Sequence, residues 1–376
     1  MARNTTELYD ALVLGAGPAG ATAATVLARH GRRVCLVDAA GFPREAGAAG
    51  WISAPCVSLL AELDIAPKDF GARPFKSVAF FDADLAKFAH PEFAEPAGFI
   101  VNRAKFGDAL VKMAAAAGVE VRSQTRVREV VLGERQVTLK TDDSKSSVPV
   151  QGRLLVFSAG RGTPLLTRLG VSMDTAQGGS WAAQIESDDP PAKGDAAVSI
   201  IFGLDRTGGF GIIMTAKGLA AVGIQSASDR RDVIPNLVSI CRLAREKGLI
   251  DVDLTRQAAA ANVTVSPTAV ALSMDTHVTK HTLIVGDAGG FVAAASGEGI
   301  YPGMWSARIA ADVIHRALDA PSPQDALMEF DAAWRTKMAD YLRAPNSDAQ
   351  YILPLVFSNQ PMANRMGAAF FAGENI

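Results

Sequence analysis

The chain has 376 residues, 49% of them hydrophobic, with 37 Lys plus Arg against 39 Asp plus Glu and a formal net charge of −2. This size supports two domains, or one large domain carrying an inserted subdomain. The balanced charge excludes a global pull toward nucleic acid or an anionic membrane, and three scattered cysteines (Cys35, Cys56, Cys241) argue against a disulfide framework.

The first ten residues carry no secretory pattern, and no uncharged apolar run reaches the roughly 18 residues of a spanning helix. A reducing, cytoplasmic setting is expected, with peripheral membrane contact left open. Tyr9 to Leu14 reads as a short buried strand, Gly15 to Gly20 as a turn, Ala21 to His30 as a helix and Arg33 to Val37 as a second strand. Together they make a βαβ unit. Cys35 falls inside that second strand and reads as a small buried hydrophobe. A Gly/Ala-rich loop, Gly41 to Gly50, precedes a helical stretch from Val57 to Leu63.

Alternation from about Arg73 to Pro96 predicts strands, and Ala104 to Ala117 predicts a helix ended by Gly118. Val119 to Val121, Val127 to Leu132, Val137 to Thr141 and Leu154 to Phe157 read as strands, with Asp142 to Ser147 as a hairpin tip. Between Ser172 and Thr276 the texture is that of an inserted antiparallel sheet. Its strands are Ala197 to Phe202, Phe210 to Thr215 and Leu219 to Gln225, followed by a helix from Val233 to Lys247. Thr282 to Val285 is a further buried strand, Gly303 to Leu318 a helix, and the tail from Pro323 is mostly helical. The fold class is α/β with an inserted antiparallel sheet. Residues 1–72, 97–171 and 277–320 form a discontinuous nucleotide-binding domain, 73–96 and 172–276 a substrate domain, and 321–376 a C-terminal helical segment.

The turn Gly15-Ala16-Gly17-Pro18-Ala19-Gly20 fits GxGxxG between strand and helix. The first glycine allows the tight turn, the second lets a pyrophosphate approach, and the third lets the helix pack close to the strand. Asp38 ends the second strand, where a carboxylate accepts from a ribose diol and disfavours a 2′-phosphate. FAD or NAD therefore fits better than NADP at this end. The segment Leu283 to Trp305 separates these two. Its strand delivers Gly286 and Asp287, whose carboxylate suits the ribityl hydroxyls of a flavin. Its loop, through Gly297, Gly299 and Ile300, is small enough to lie against a ring system. The helix that follows aims N–H groups at that ring.

These two segments resemble the geranylgeranyl reductase family, among the flavoproteins of the para-hydroxybenzoate hydroxylase-like fold. The resemblance covers roughly residues 8 to 320 and rests on GxGPAGxxAA at Gly15 to Ala24 and on GDAxGFV with GEGI at Gly286 to Ile300. It implies a Rossmann-type FAD-binding domain, with Arg44, Arg103 and Val127 added to the cofactor contacts. Gly208 to Ile224 resembles the family's substrate strand pair. The chain departs from the pattern at Ala48, where the family has a first-loop cysteine, and at Ser158-Ala159-Gly160, where the family has ADG. It departs again at Phe106-Gly107, Ile212 and Thr215.

The five histidines lack ligand spacing and no hydrolase nucleophile motif is present, so the cofactor must carry the chemistry. Glu298, in the flavin loop, is the one general-acid candidate. Trp51, Trp181, Phe202, Phe210, Tyr301 and Trp305 are candidate pocket walls for an apolar isoprenoid-like or lipid substrate. The leading expectation is a reductase or dehydrogenase acting on a carbon–carbon double bond through flavin N5. Its electrons would come from NADPH, or from a ferredoxin or deazaflavin donor. The alternatives are an aromatic monooxygenase working through a flavin C4a-hydroperoxide and a non-catalytic flavin-binding protein. Halogenation is disfavoured by the missing WxWxIP motif. The apolar stretch Pro361 to Gly373, with Met362, Met366, Phe370 and Phe371 at near-helical spacing, is read as packing on the body, with a lid or membrane-touching helix as alternative.

Overall fold

The computed structural model describes residues 8–44, 49–142, 149–161, 163–171, 180–187, 195–204, 209–226, 229–266, 268–344 and 349–374. The expected hairpin tip after Asp142, Ala48 and Gly208 lie outside the described residues. Two sheets organise the rest.

The first sheet has a parallel centre. Leu8–Leu14 lies between Val34–Val37 and Val150–Phe157, with Glu120–Arg122 and Thr282–Ile284 at the flanks. These strands are apolar on both faces, as a parallel sheet covered on both sides requires. Helix Pro18–Arg29 covers one face together with Arg103–Ala116 and Ile300–Asp319. Its Ala21, Ala23 and Ala24 are buried, and their small side chains bring it close to the strands. Val137, Leu139, Leu165, Leu166 and Leu169 cover the other face.

The helix after the glycine turn begins at Pro18 rather than Ala21, because proline's missing N–H and fixed φ suit the first helical turn. Likewise Ile300–Asp319 starts about one turn before the expected Gly303. Cys35, Cys56 and Cys241 are buried free thiols.

The second sheet is antiparallel except where Ala196–Phe202 runs parallel to Arg73–Phe81. It also takes in Ser180–Ser187 and Thr264–Ser266, which the sequence pattern did not reveal. Ala49–Ser53 and Gly98–Asn102, flanking the first predicted strand region, pair with each other and extend this sheet. Helix Val233–Glu246 packs on one face. Helices Ala349–Ser358 and Gln360–Ala372 pack on the other, burying Met366, Phe370 and Phe371. The apolar side of the C-terminal stretch is thus turned inward against the second sheet. Among the described residues, no helix is long and apolar enough to cross a membrane.

Candidate flavin site

Three central strands end at the same edge of the first sheet, delivering Gly15, Asp38 and the Ser158–Arg161 turn; Thr282–Ile284 brings Gly286 and Asp287 there too. The strand order reverses across Leu8–Leu14, so a crevice opens at this carboxyl edge. A cavity of about 990 Å³ occupies it and continues onto the second sheet.

The glycine turn is built by close approach. Gly15 has φ +98°, a left-handed value that disfavours any side chain. A Cβ on Gly20 would lie 1.8 Å from the Gly15 carbonyl oxygen. Ser158 braces the turn from the neighbouring strand, its hydroxyl 2.9 Å from the carbonyls of both Leu14 and Gly15. Gly17 differs: a Cβ there would meet no protein atom within 4 Å, and the residue faces the cavity. This is a cradle shaped for backbone approach by a pyrophosphate, at the start of a helix whose first N–H groups favour an anion.

Asp38 is buried, and its carboxylate accepts from Ala16 N–H at 2.6 Å and Ala40 N–H at 2.8 Å. Arg44 also pairs with it, while the buried Arg44 Nε has no hydrogen-bond partner. An unsatisfied buried guanidinium N–H is costly and fits an anionic ligand in the cavity. Asp287 lines the cavity with no hydrogen bond to its carboxyl from the described residues. Burial pushes its pKa up to about 6, opposed by Arg103 and Arg161. Such a carboxyl is an unsatisfied acceptor suited to polyol hydroxyls. Taken together, these groups fit FAD: Gly15 to Gly20 with Arg44 at the pyrophosphate, Asp38 at the ribose and Asp287 at the ribityl chain.

Of the expected cofactor residues, Gly15, Gly17, Pro18, Ala19, Asp38, Arg44, Arg103, Val127, Gly286, Asp287, Gly297, Gly299 and Ile300 all line this cavity. Ala16 contributes its N–H to Asp38, and Gly20 packs beneath the turn. Sequence reasoning missed Arg161, which lines the cavity and donates to the Ser266 carbonyl at 3.1 Å and to Thr268 Oγ1 at 2.5 Å. Its signal was the strand-end position one residue after Gly160. Arg126, Arg128 and Arg168 also line the cavity near Val127 and went unread, because isolated arginines carry no motif.

The six aromatic candidates divide. Trp51 and Phe210 line the cavity. Trp181 does not: with Ala183 and Ile185 it packs toward helix Val233–Glu246, under the Arg230 guanidinium 5.5 Å from its ring. Strand side chains alternate, and Trp181 falls on the far face. Phe202 is a core residue, packed between a tilted Phe80 ring at 5.5 Å and an edge-on Phe370 ring at 6.2 Å. Tyr301 and Trp305, one helical turn apart, stack on each other at 5.3 Å and meet Tyr341 instead of the cavity.

Glu298 lines the cavity, but its carboxylate is held from behind. Oε1 accepts from the Ser53 hydroxyl at 2.9 Å and the Ser53 N–H at 3.3 Å, and Oε2 accepts from the Tyr341 hydroxyl at 2.7 Å. Burial raises its pKa, and these donors with the Tyr301 N–H oppose that. The arrangement ties the flavin loop to strand Ala49–Ser53 and to helix Glu329–Leu342. Glu298→Ala, which leaves the buried Ser53 and Tyr341 donors unpaired, should lower stability by about 2 kcal/mol, read by urea denaturation. An unchanged midpoint would show that the network holds nothing.

A model of the FAD binding domain matches residues 8–312. The chain belongs to the FAD-binding domain family. The flavoprotein is 26% identical over 322 residues to digeranylgeranylglycerophospholipid reductase 1 of Methanosphaera stadtmanae, spanning 82% of this chain and 75% of that protein. Among solved structures, a geranylgeranyl bacteriochlorophyll reductase-like protein from Thermoplasma acidophilum superposes with a TM-score of 0.75 at 17% identity, covering 98% of this chain and 97% of the other. The myxobacterial chondrochloren halogenase superposes with a TM-score of 0.68 at 19% identity, covering 98% and 97%. Both structural likenesses bear on the fold. With the FAD-binding family and its reductase-named relatives, this flavoprotein is an FAD-dependent oxidoreductase.

Proposed function

We propose that this flavoprotein reduces a carbon–carbon double bond in an apolar, isoprenoid-like or lipid substrate. When bound, FAD supplies hydride chemistry at its N5. The observation that carries the reading is an apolar patch in the cavity lining on the second sheet: Trp51, Phe210, Ile212 and Met214 share one cavity with the glycine motifs. Such a patch desolvates an apolar group, while Gln184, Gln225, Thr264 and Ser266 on neighbouring strands give the same sheet a polar side. Arg44, Asp38 and Asp287 would hold the cofactor at the first sheet, in the same cavity as that patch. The names of the curated relatives, reductases of polyprenyl lipids, support the same substrate class.

NADPH, or a small electron-carrier protein, is the proposed donor. The purified protein should carry oxidised flavin, visible in its absorbance spectrum. It should be reduced anaerobically by NADPH or dithionite and stay reduced until an alkene-bearing lipid is added. Fast reoxidation in air, coupled to hydroxylation or halogenation of an aromatic compound, would reject the reductase reading in favour of oxygen chemistry.

A further inference from the structure

We infer that the C-terminal helix Gln360–Ala372 stops the apolar end of the cavity through Phe370 and Phe371, so the group admitted beside the flavin is compact rather than a long polyprenyl chain. The inference rests on the reading above that the substrate is apolar, and it sets the length of that substrate.

Trp51 and Phe210 form the cavity wall on the second sheet. Directly behind them, Phe370 lies 5.5 Å from Phe210, edge-on, and 6.2 Å from Trp51. Phe371 meets Trp51 edge-on at 5.1 Å. The two phenylalanines are 2% and 1% exposed, so nothing solvent-filled separates the wall from the helix. A further aromatic layer backs them: Phe371 meets Phe75 at 5.6 Å, and Phe370 meets Phe80 at 6.3 Å. A chain passing this point would have to displace packed rings that sit at crystal-like density.

The helix is fastened in place. A Cβ on Gly367 would lie 2.7 Å from Pro91 and 2.9 Å from the Phe93 ring, a close approach open only to glycine. Gln360 Nε2 donates to the His90 carbonyl at 2.7 Å, and the Asn364 side-chain oxygen accepts from Glu92 N–H at 2.9 Å. At the far end Gly373 abuts the Tyr341 ring, so this end of the helix sits against the same tyrosine that holds Glu298.

Each methylene buried strengthens binding about fourfold, so an open channel would reward every added isoprene unit. A closed one rewards the first units and rejects the rest. Isothermal titration of the FAD-loaded protein with dimethylallyl alcohol, geraniol and geranylgeraniol reads this directly. In the native protein, geraniol should bind more tightly than dimethylallyl alcohol. Geranylgeraniol should bind at least about tenfold more weakly than geraniol.

Phe370→Ala should gain at least about tenfold for geranylgeraniol, and Phe371→Leu, a milder cut, should gain less. Melting curves report whether each variant folds; if Phe370→Ala does not, the native length profile decides alone. Geranylgeraniol binding the native protein as tightly as geraniol would overturn the stop and leave the apolar reading standing. No binding of any of the three alcohols to the native protein would reject the apolar-substrate reading, and the stop with it, whatever Phe370→Ala binds. Silence from both proteins would overturn both.

Discussion

Gly20→Ala should yield a protein that purifies without flavin and is less stable by about 3 kcal/mol, at the upper end of overpacking costs. The added methyl would sit 1.8 Å from the Gly15 carbonyl oxygen and 2.5 Å from Ser158 Oγ. One of these neighbours is backbone in the phosphate turn, and the other is the hydroxyl that braces it. Helix Pro18–Arg29 must move off the strand, and the turn loses the shape that aims its N–H groups at the pyrophosphate. Gly17→Ala is the matched control. Its methyl meets no protein atom and points into the cavity. It should therefore leave the melting temperature of the flavin-free protein nearly unchanged while still reducing flavin retention. Thermal melts and flavin-to-protein absorbance ratios on both variants separate the packing role from the binding role. Full flavin in Gly17→Ala would reject the cradle.

Asp287→Asn should stabilise the flavin-free protein at neutral pH while releasing its flavin. The Asp287 carboxyl titrates near 6 in the folded chain against an ordinary 3.8, chiefly because burial disfavours its charge. The folded state therefore holds this proton more tightly than the unfolded state. Stability from this group is present below about pH 4 and is lost as pH rises through 6. At neutral pH the loss is on the order of 3 kcal/mol, and asparagine removes it. A flavin polyol donating to the carboxylate reverses the sign, because it favours the charged form. The wild-type protein should thus bind FAD more tightly as pH rises from 4 to 6, and the variant should show no such trend. Loss of an ionised acceptor should weaken flavin binding by at least about tenfold. Differential scanning fluorimetry with and without FAD across this range measures both arms. A variant that melts below wild type without flavin, or keeps its flavin, would show that Asp287 is structural.

The two predictions also mark where the sequence was informative. Gly15, Gly17, Gly20, Asp38 and Asp287 were legible because each is short-range chemistry: a glycine turn or a carboxylate at a strand end, read from spacing alone. That much gave the FAD-binding fold and the residues that line its crevice. Ser158 and Arg161 were harder, since their roles depend on a strand, Val150–Phe157, that pairs with Leu8–Leu14 far away in sequence.

The aromatic wall was the least legible part. Trp51 and Phe210 face the cavity, whereas Trp181, Phe202, Tyr301 and Trp305 face other elements. Composition treats all six alike. Strand alternation tells two faces apart, but not which face meets the flavin and which meets helix Val233–Glu246. The same holds for Phe370 and Phe371: their helical spacing predicts a buried stripe, and only the packing of the last helix on the second sheet shows what they stop. The sequence by itself determined the nucleotide-binding motifs, the first βαβ unit and the flavin class of the protein, because these rest on local backbone geometry. The tertiary structure alone decided which side chains wall the cavity, how Glu298 is held and where the cavity ends, because each depends on contacts between segments distant in the chain.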